Sequence, residues 1–229
     1  MENQIPVDSY VNEIIRRALN KLENALKGTT TVGIKTQNFV VLAADKRATA
    51  GHYIAHKHVK KIIRVADRVA MTTAGLVADA QALADFVRAE AMYYQLSTGR
   101  PMSIRSMAYL LSLVLNNSKY SPYIVQLLLG GYDYYEGPKL FAIELFGDVT
   151  EETYTATGSG SPIAIGVIES EYRPDMSVEE AVKLAAKAVA SATMRDAFSG
   201  EGVDVVVIDC SGMKERTFTI SEVKKLLGR

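Results

Sequence analysis

The chain has 229 residues, 48% of them hydrophobic and 23% charged, with Lys plus Arg and Asp plus Glu equal at 26 each. A chain of this length buries a sizeable core, and the even charge balance leaves no electrostatic footprint for nucleic acid or an anionic membrane. The single Cys210 excludes an internal disulfide and a multi-cysteine metal site, so a reducing cytoplasm is the expected compartment. The densest apolar run, Tyr109 to Leu115, is too short for a membrane span.

In the first 28 residues, Val11, Ile14, Ile15, Ala18, Leu19, Leu22 and Leu26 recur at three- and four-residue spacing. Glu13, Arg16, Arg17, Lys21 and Glu23 fall mostly on the other side, which predicts an amphipathic helix. It lacks the apolar core of a signal peptide, and its acidic residues argue against a transit peptide. It reads as an ordinary first helix or as a removable segment, and the junction that follows favours the second.

That junction is Gly28-Thr29-Thr30-Thr31-Val32-Gly33-Ile34, where Thr30, Val32 and Ile34 alternate with Thr29, Thr31 and Gly33. The alternation predicts a strand with one buried face. A cut between Gly28 and Thr29 gives Thr29 both a hydroxyl and a free α-amine, which titrates near about 7.7–8.0 and is a recognised base for such a nucleophile. Three threonines also simply suit a strand.

Thr30–Thr36 and Phe39–Ala44 flank Gln37-Asn38 as a hairpin, and Lys61–Val65 and Arg68–Ala74 flank Ala66-Asp67 as another. Leu76–Leu96 is a predicted helix with Ala80, Leu83, Ala84, Val87 and Ala91 inward, ended by Gly99-Arg100-Pro101. Ser103 caps a second, with Ile104, Met107, Ala108, Leu111 and Leu115 inward. Strands return at Tyr123–Gly130, Leu140–Phe146 and Glu152–Ala156. Pro162 sits in the first turn of a short helix, and Ser177 with Glu180 forms a capping box before a helix over Val178–Phe198. Strands Val203–Cys210, expected buried, and Arg216–Ile220 precede a last helix, Glu222–Leu227. The order is strands, two helices, strands, two helices, strands. It predicts an α+β fold in which two stacked, mainly antiparallel sheets lie between helical layers, as one domain over 29–229.

With Thr29 as nucleophile, Lys61 is a candidate positive charge to lower the pKa of its hydroxyl and amine, and Asp45 a candidate partner for that lysine. Gly75 falls where a strand gives way to a helix, so its N–H suits an oxyanion. Lysines before apolar strands are usually solvated, and an Asp after a strand usually just ends it. Ser159, Asp196 and Ser199 form a further polar set, with Asp196 and Ser199 at the end of a helix, where the dipole disfavours a carboxylate. His52, His56 and His58 fall in one loop without metal-binding spacing, so no metal is expected.

In order, the chain holds Gly28-Thr29-Thr30-Thr31-Val32-Gly33, Asp45-Lys46-Arg47, Lys61, and Thr73-Ala74-Gly75-Leu76-Val77-Ala78-Asp79-Ala80-Gln81. Then come Leu129-Gly130-Gly131, Gly158-Ser159-Gly160-Ser161 and Arg195-Asp196-Ala197-Phe198-Ser199-Gly200. Together they closely resemble proteasome β subunits, most like the archaeal type. The resemblance implies the four-layer αββα sandwich of the N-terminal nucleophile hydrolases. It implies self-cleavage that removes residues 1–28 and leaves a catalytic domain over 29–229, a threonine-type endopeptidase. Position by position, it implies Thr29 as nucleophile with its own amine as base, Asp45 and Lys61 as the tuning pair and Gly75 as oxyanion donor. Ser159, Asp196 and Ser199 match the supporting set, and Ala48, Val59, Thr73 and Val77 the primary specificity pocket. These four are small or apolar, so cleavage after hydrophobic side chains is expected. No cofactor is expected. The implied partners are other β subunits in a seven-membered ring, α subunits, a regulatory ATPase acting through the α ring, and unfolded polypeptide. A catalytically silent ring subunit and a free-standing amidase of the same nucleophile class are the rival readings. One departure stands out: Glu201 occupies a position where the family commonly has a second glycine, and it adds a carboxylate near Asp196 and Ser199.

Overall fold

The computed structural model describes residues 28–50 and 53–228; the amphipathic helix expected before Gly28, and His52, lie outside them. One five-stranded sheet is built from β1 (Thr31–Lys35), β2 (Val40–Asp45), β10 (Tyr154–Thr157), β11 (Val203–Asp209) and β12 (Gly212–Phe218), in the order β10-β1-β2-β11-β12. The other runs β5-β6-β7-β8-β9, from β5 (Ile62–Ala66), β6 (Val69–Gly75), β7 (Val125–Asp133), β8 (Gly137–Ile143) and β9 (Val149–Glu151). Neighbouring strands in both sheets are antiparallel. A small hairpin, β3 (Ala48–Ala50) with β4 (Tyr53–His56), stands apart.

Helices α1 (Val77–Thr98) and α2 (Ile104–Asn117) cover the second sheet, and α3 (Ser161–Glu171), α4 (Val178–Thr193) and α5 (Ile220–Leu226) belong to the side of the first. The inward residues expected of α1 and α2 are their buried residues, one for one. Ser103 accepts from Ser106 N, and the Ser177–Glu180 capping box is complete. Between the sheets, Val40, Leu42, Ala70, Leu128, Leu140, Ala142, Val206 and Ile208 form an apolar seam. Three layer contacts therefore stack in order, helix on sheet on sheet on helix, and this is the expected αββα sandwich.

Position in this stack explains why β1 departs from expectation. It is buried on both faces rather than one. Val32 and Ile34 pack into the helix-covered core, while Gly33 faces Leu140 of the opposite sheet so closely that a Cβ would meet its Cδ1 at 2.7 Å. On that same inner face Thr31 is bonded to Thr72 of β6 at 3.0 Å and to Thr157 of β10 at 2.7 Å, all three hydroxyls buried.

Other boundaries moved for identifiable reasons. The stretch expected as a strand over Glu152–Ala156 is β10, Tyr154–Thr157, while β9, Val149–Glu151, is an unexpected short strand just before it in the other sheet, so the chain crosses the sandwich between them. The helix expected to reach Phe198 stops at Thr193, and Asp196 and Ser199 lie in the turn after it rather than at its end. Cys210 is exposed at the turn between β11 and β12, not in a buried strand.

Candidate active site

The strands deliver four segments to one end of the first sheet. Thr29 and Thr30 precede β1, Asp45 ends β2, Lys61 precedes β5, and the turn after α4 returns before β11. Asp45 is fully buried and is the centre of the cluster. Its Oδ1 accepts from Lys61 Nζ at 2.7 Å and Thr30 N at 2.9 Å, and its Oδ2 from Arg47 N and Gly200 N, both at 3.0 Å. Four donors occupy both oxygens and leave no room for a carboxyl proton, so the geometry is that of a carboxylate. Burial raises the proton affinity of Asp45, with Lys61 and the backbone donors opposing it. Burial lowers the Lys61 pKa, with the Asp45 charge opposing that. The two charges hold each other ionised.

Lys61, 3% exposed, also donates to the Gly28 carbonyl oxygen at 3.2 Å. The Thr29 hydroxyl donates to the same oxygen at 2.6 Å. An ammonium and a hydroxyl thus converge on the carbonyl of the Gly28–Thr29 peptide bond. With Gly28 attached, Thr29 is buried, at 5% exposure.

The supporting set is also assembled. Ser159 Oγ donates to Asp196 Oδ2 at 2.7 Å and lies 3.4 Å from the Thr29 carbonyl oxygen. Ser199 Oγ donates to the same Oδ2 at 2.5 Å. That commits the Ser199 proton, so the 2.7 Å bond between Thr30 and Ser199 runs from Thr30 Oγ1 to Ser199 Oγ. Gly158, at φ +86°, lets Ser159 approach: a Cβ there would stand 2.1 Å from the Thr29 carbonyl oxygen.

Gly75 closes β6 at φ +107°, where a Cβ would fall 2.2 Å from the Ile124 carbonyl oxygen. Thr73 N donates to Lys61 O on the β5 side and Leu76 N to Ile124 O on the β7 side. Backbone donors alternate along a strand, so the Gly75 N–H points to the side of Lys61. Of the expected pocket residues, Ala48 opens β3, and Val59 N donates to the carbonyl of Lys46, two positions before Ala48. Thr73 shares a face with Met71 rather than with Thr72, and Val77 opens α1 at 39% exposure. His56 ends β4 rather than lying in a loop, and among the described residues no group of three His, Cys, Asp or Glu is close enough to hold a metal.

Sequence reasoning missed the backbone donors of Thr30, Arg47 and Gly200. The signal available was Arg47 two residues after Asp45 and Gly200 next to Ser199, but backbone donors leave no composition mark.

Residues 25–208 match a family described as "Proteasome subunit". "Proteasome subunit beta 2" of Hyperthermus butylicus is 58% identical over 88% of this chain and 94% of its own length. Proteins of the same description from Ignicoccus hospitalis, 54% identical over 90% and 97%, and Staphylothermus marinus, 60% identical over 82% and 91%, agree with it. The chain belongs to the proteasome subunit family, among its beta subunits.

Proposed function

We propose that the chain is the proteolytic beta subunit of a proteasome core, a threonine-type endopeptidase that Thr29 becomes competent to drive once residues 1–28 leave. The observation that carries this reading is the convergence of the Thr29 hydroxyl and the Lys61 ammonium on the Gly28 carbonyl oxygen. Lys61 polarises that carbonyl. Thr29 Oγ1 attacks its carbon, losing its proton to a bound water that passes it to the Thr29 nitrogen as the C–N bond breaks, and the Gly28 acyl group thereby moves from that nitrogen to the oxygen. Water then hydrolyses the ester, releasing residues 1–28 with a terminal carboxylate and leaving Thr29 with a free amine. In later turnovers that amine takes the hydroxyl proton, Thr29 Oγ1 attacks a substrate carbonyl, and the Gly75 N–H receives the oxyanion. The leaving peptide takes a proton from the amine, and water releases the second product from the acyl-enzyme. Ser159, Asp196 and Ser199 hold the Thr29 segment, and Ala48, Val59, Thr73 and Val77 select hydrophobic side chains.

Assembly with other subunits follows from the family. The finer reading is a seven-membered β ring stacked on α rings in the cytoplasm, with an ATPase passing unfolded polypeptide through the α ring. Confinement fits a peptidase of broad appetite. Thr29→Ala should leave residues 1–28 attached by mass spectrometry and abolish hydrolysis of fluorogenic peptides with hydrophobic P1 residues. Normal processing of that variant would refute the reading, and unprocessed wild-type chain in an assembled core would favour the silent-subunit alternative. Peptidase activity from a chain that elutes alone on size exclusion would favour the free-standing amidase.

A further inference from the structure

The turn after α4 contains a contact that the peptide chemistry above leaves unused. Among the described residues Glu201 is the one non-glycine residue with a left-handed φ, at +69°. Side chains resist that conformation, and glutamate lacks the short side chain that lets Asn adopt it. Its Oε1 accepts from Arg47 Nη2 at 3.0 Å, while Arg47 Nη1 donates to the Ala197 carbonyl at 2.8 Å. Arg47 Nε is buried with no partner among the described residues, and these two bonds anchor the guanidinium. The pair is sheltered, with side chains 21% and 14% exposed. The guanidinium lies against Gly200, where a Cβ would stand 2.5 to 2.8 Å from its atoms. Gly200 is bonded in both directions to the segment that bears the acid: its N–H donates to Asp45 Oδ2 and its carbonyl accepts from Lys46 N, both at 3.0 Å.

We propose that Glu201 is a positioning residue for the Asp45–Lys61 pair: it draws the Arg47 guanidinium across Gly200 and so keeps the Gly200 N–H on the Asp45 carboxylate. The inference rests on the reading of Lys61 as the cation that works beside Thr29. The glycine that the family resemblance puts at this position would relax the backbone without supplying the anion; this chain accepts the strained backbone and gains the clamp. The shortest path from Glu201 runs through Arg47 and Gly200 to the Asp45 carboxylate, whereas Val59 is reached only through the Lys46 backbone, so turnover should respond more than substrate affinity.

Two variants of the full-length chain, tested in the assembled core, separate the clamp from simple stability. Glu201→Gly removes the carboxylate and relieves the backbone, whereas Glu201→Gln keeps the backbone demand and an acceptor oxygen but loses the charge. Glu201→Gly is expected to lower kcat about tenfold with KM changed less than about twofold, as for loss of one charge-assisted hydrogen bond. Its melting temperature should equal or exceed that of the parent, and Glu201→Gln should recover part of kcat. An unchanged kcat, a change confined to KM, or a Glu201→Gln variant no better than Glu201→Gly would overturn the proposal. Hydrogen exchange at the Gly200 amide, measured in the uncut Thr29→Ala background, provides a readout without peptidase chemistry. Faster exchange in Glu201→Gly supports the clamp, and unchanged exchange overturns it. Peptidase activity persisting in Thr29→Ala would instead remove the Thr29 reading on which the proposal rests.

Discussion

The Asp45–Lys61 pair predicts an asymmetry between two substitutions that each remove one charge. In Asp45→Asn, the new amide presents an NH2 group either to Arg47 N and Gly200 N or to Thr30 N and Lys61 Nζ, because all four neighbours of the carboxylate are donors. Either orientation sets donor against donor and removes the counter-charge of Lys61, which keeps the neutral amide oxygen in one and, among the described residues, only the Gly28 carbonyl, at 3.2 Å, in the other. Breaking a buried pair in this way costs about 3–5 kcal/mol. In Lys61→Met, the carboxylate keeps three backbone donors, and the loss approaches that of one charged hydrogen bond, about 1.5–3 kcal/mol. The gap of roughly 2 kcal/mol corresponds to about a thirtyfold difference in unfolding constant. For a chain of this length, Asp45→Asn should melt about 10 °C below the parent, and Lys61→Met about half as far below. Both should be measured in the uncut Thr29→Ala background by calorimetry and by denaturant titration. Adding Lys61→Met to Asp45→Asn should restore part of the loss, since it removes the stranded cation. Equal costs for the two single changes, or a double variant weaker than Asp45→Asn by the full cost of Lys61→Met, would refute the reasoning.

Two further outcomes follow from the geometry. Glu151 lies among Lys35, Arg105 and Lys139; burial works to raise its pKa, but the lysine hydrogen bonds and charges hold it at about 2 against an ordinary 4.5. Because the folded value is the lower one, its stabilisation is complete above about pH 4.5 and is lost as pH falls toward 2. Acid unfolding of Glu151→Gln should therefore be flatter than the parent's across that window. Gly158→Ala places a methyl 2.1 Å from the Thr29 carbonyl oxygen at a φ of +86°. It should destabilise the chain by about 1–3 kcal/mol and slow both self-cleavage and turnover, read by mass spectrometry and peptide hydrolysis.

Helical periodicity was the most legible signal. Ala80, Leu83, Ala84, Val87 and Ala91 on α1, and Ile104, Met107, Ala108, Leu111 and Leu115 on α2, each repeat a spacing that burial on one sheet face imposes. The β1–β2 and β5–β6 hairpins were readable from their short polar links. The double burial of β1 was not, since a central strand between a helix layer and a second sheet has apolar neighbours on both sides that its own residues do not encode. The hairpin of β3 and β4 escaped because its residues are mostly exposed and carry no alternation. Asp196 and Ser199 were placed on α4 because Ala190, Ala192 and neighbouring residues continue the helical pattern almost to the turn. The site residues were separately unremarkable in sequence, and only their ordered resemblance to a family joined them. The chain of contacts from Thr30 through Ser199 to Asp196 needed coordinates.

The bond between the hydroxyls of Thr31 and Thr72 ties opposite sheets across an otherwise oily seam, and Thr157, beside Thr31 in its own sheet, braces it. Apolar surfaces tolerate small sliding, because one methyl contact replaces another at little cost. A directional bond sealed from water does not, and any glide of one sheet over the other breaks the Thr31–Thr72 bond and leaves the Thr72 hydroxyl without that partner in a dry interior. Thr31 stands two residues from Thr29, and Thr72 one residue before Thr73, whose N–H is fixed to Lys61. The mechanical pin thus sits within reach of the groups whose spacing decides the chemistry, and shear elsewhere in the sandwich need not reach them.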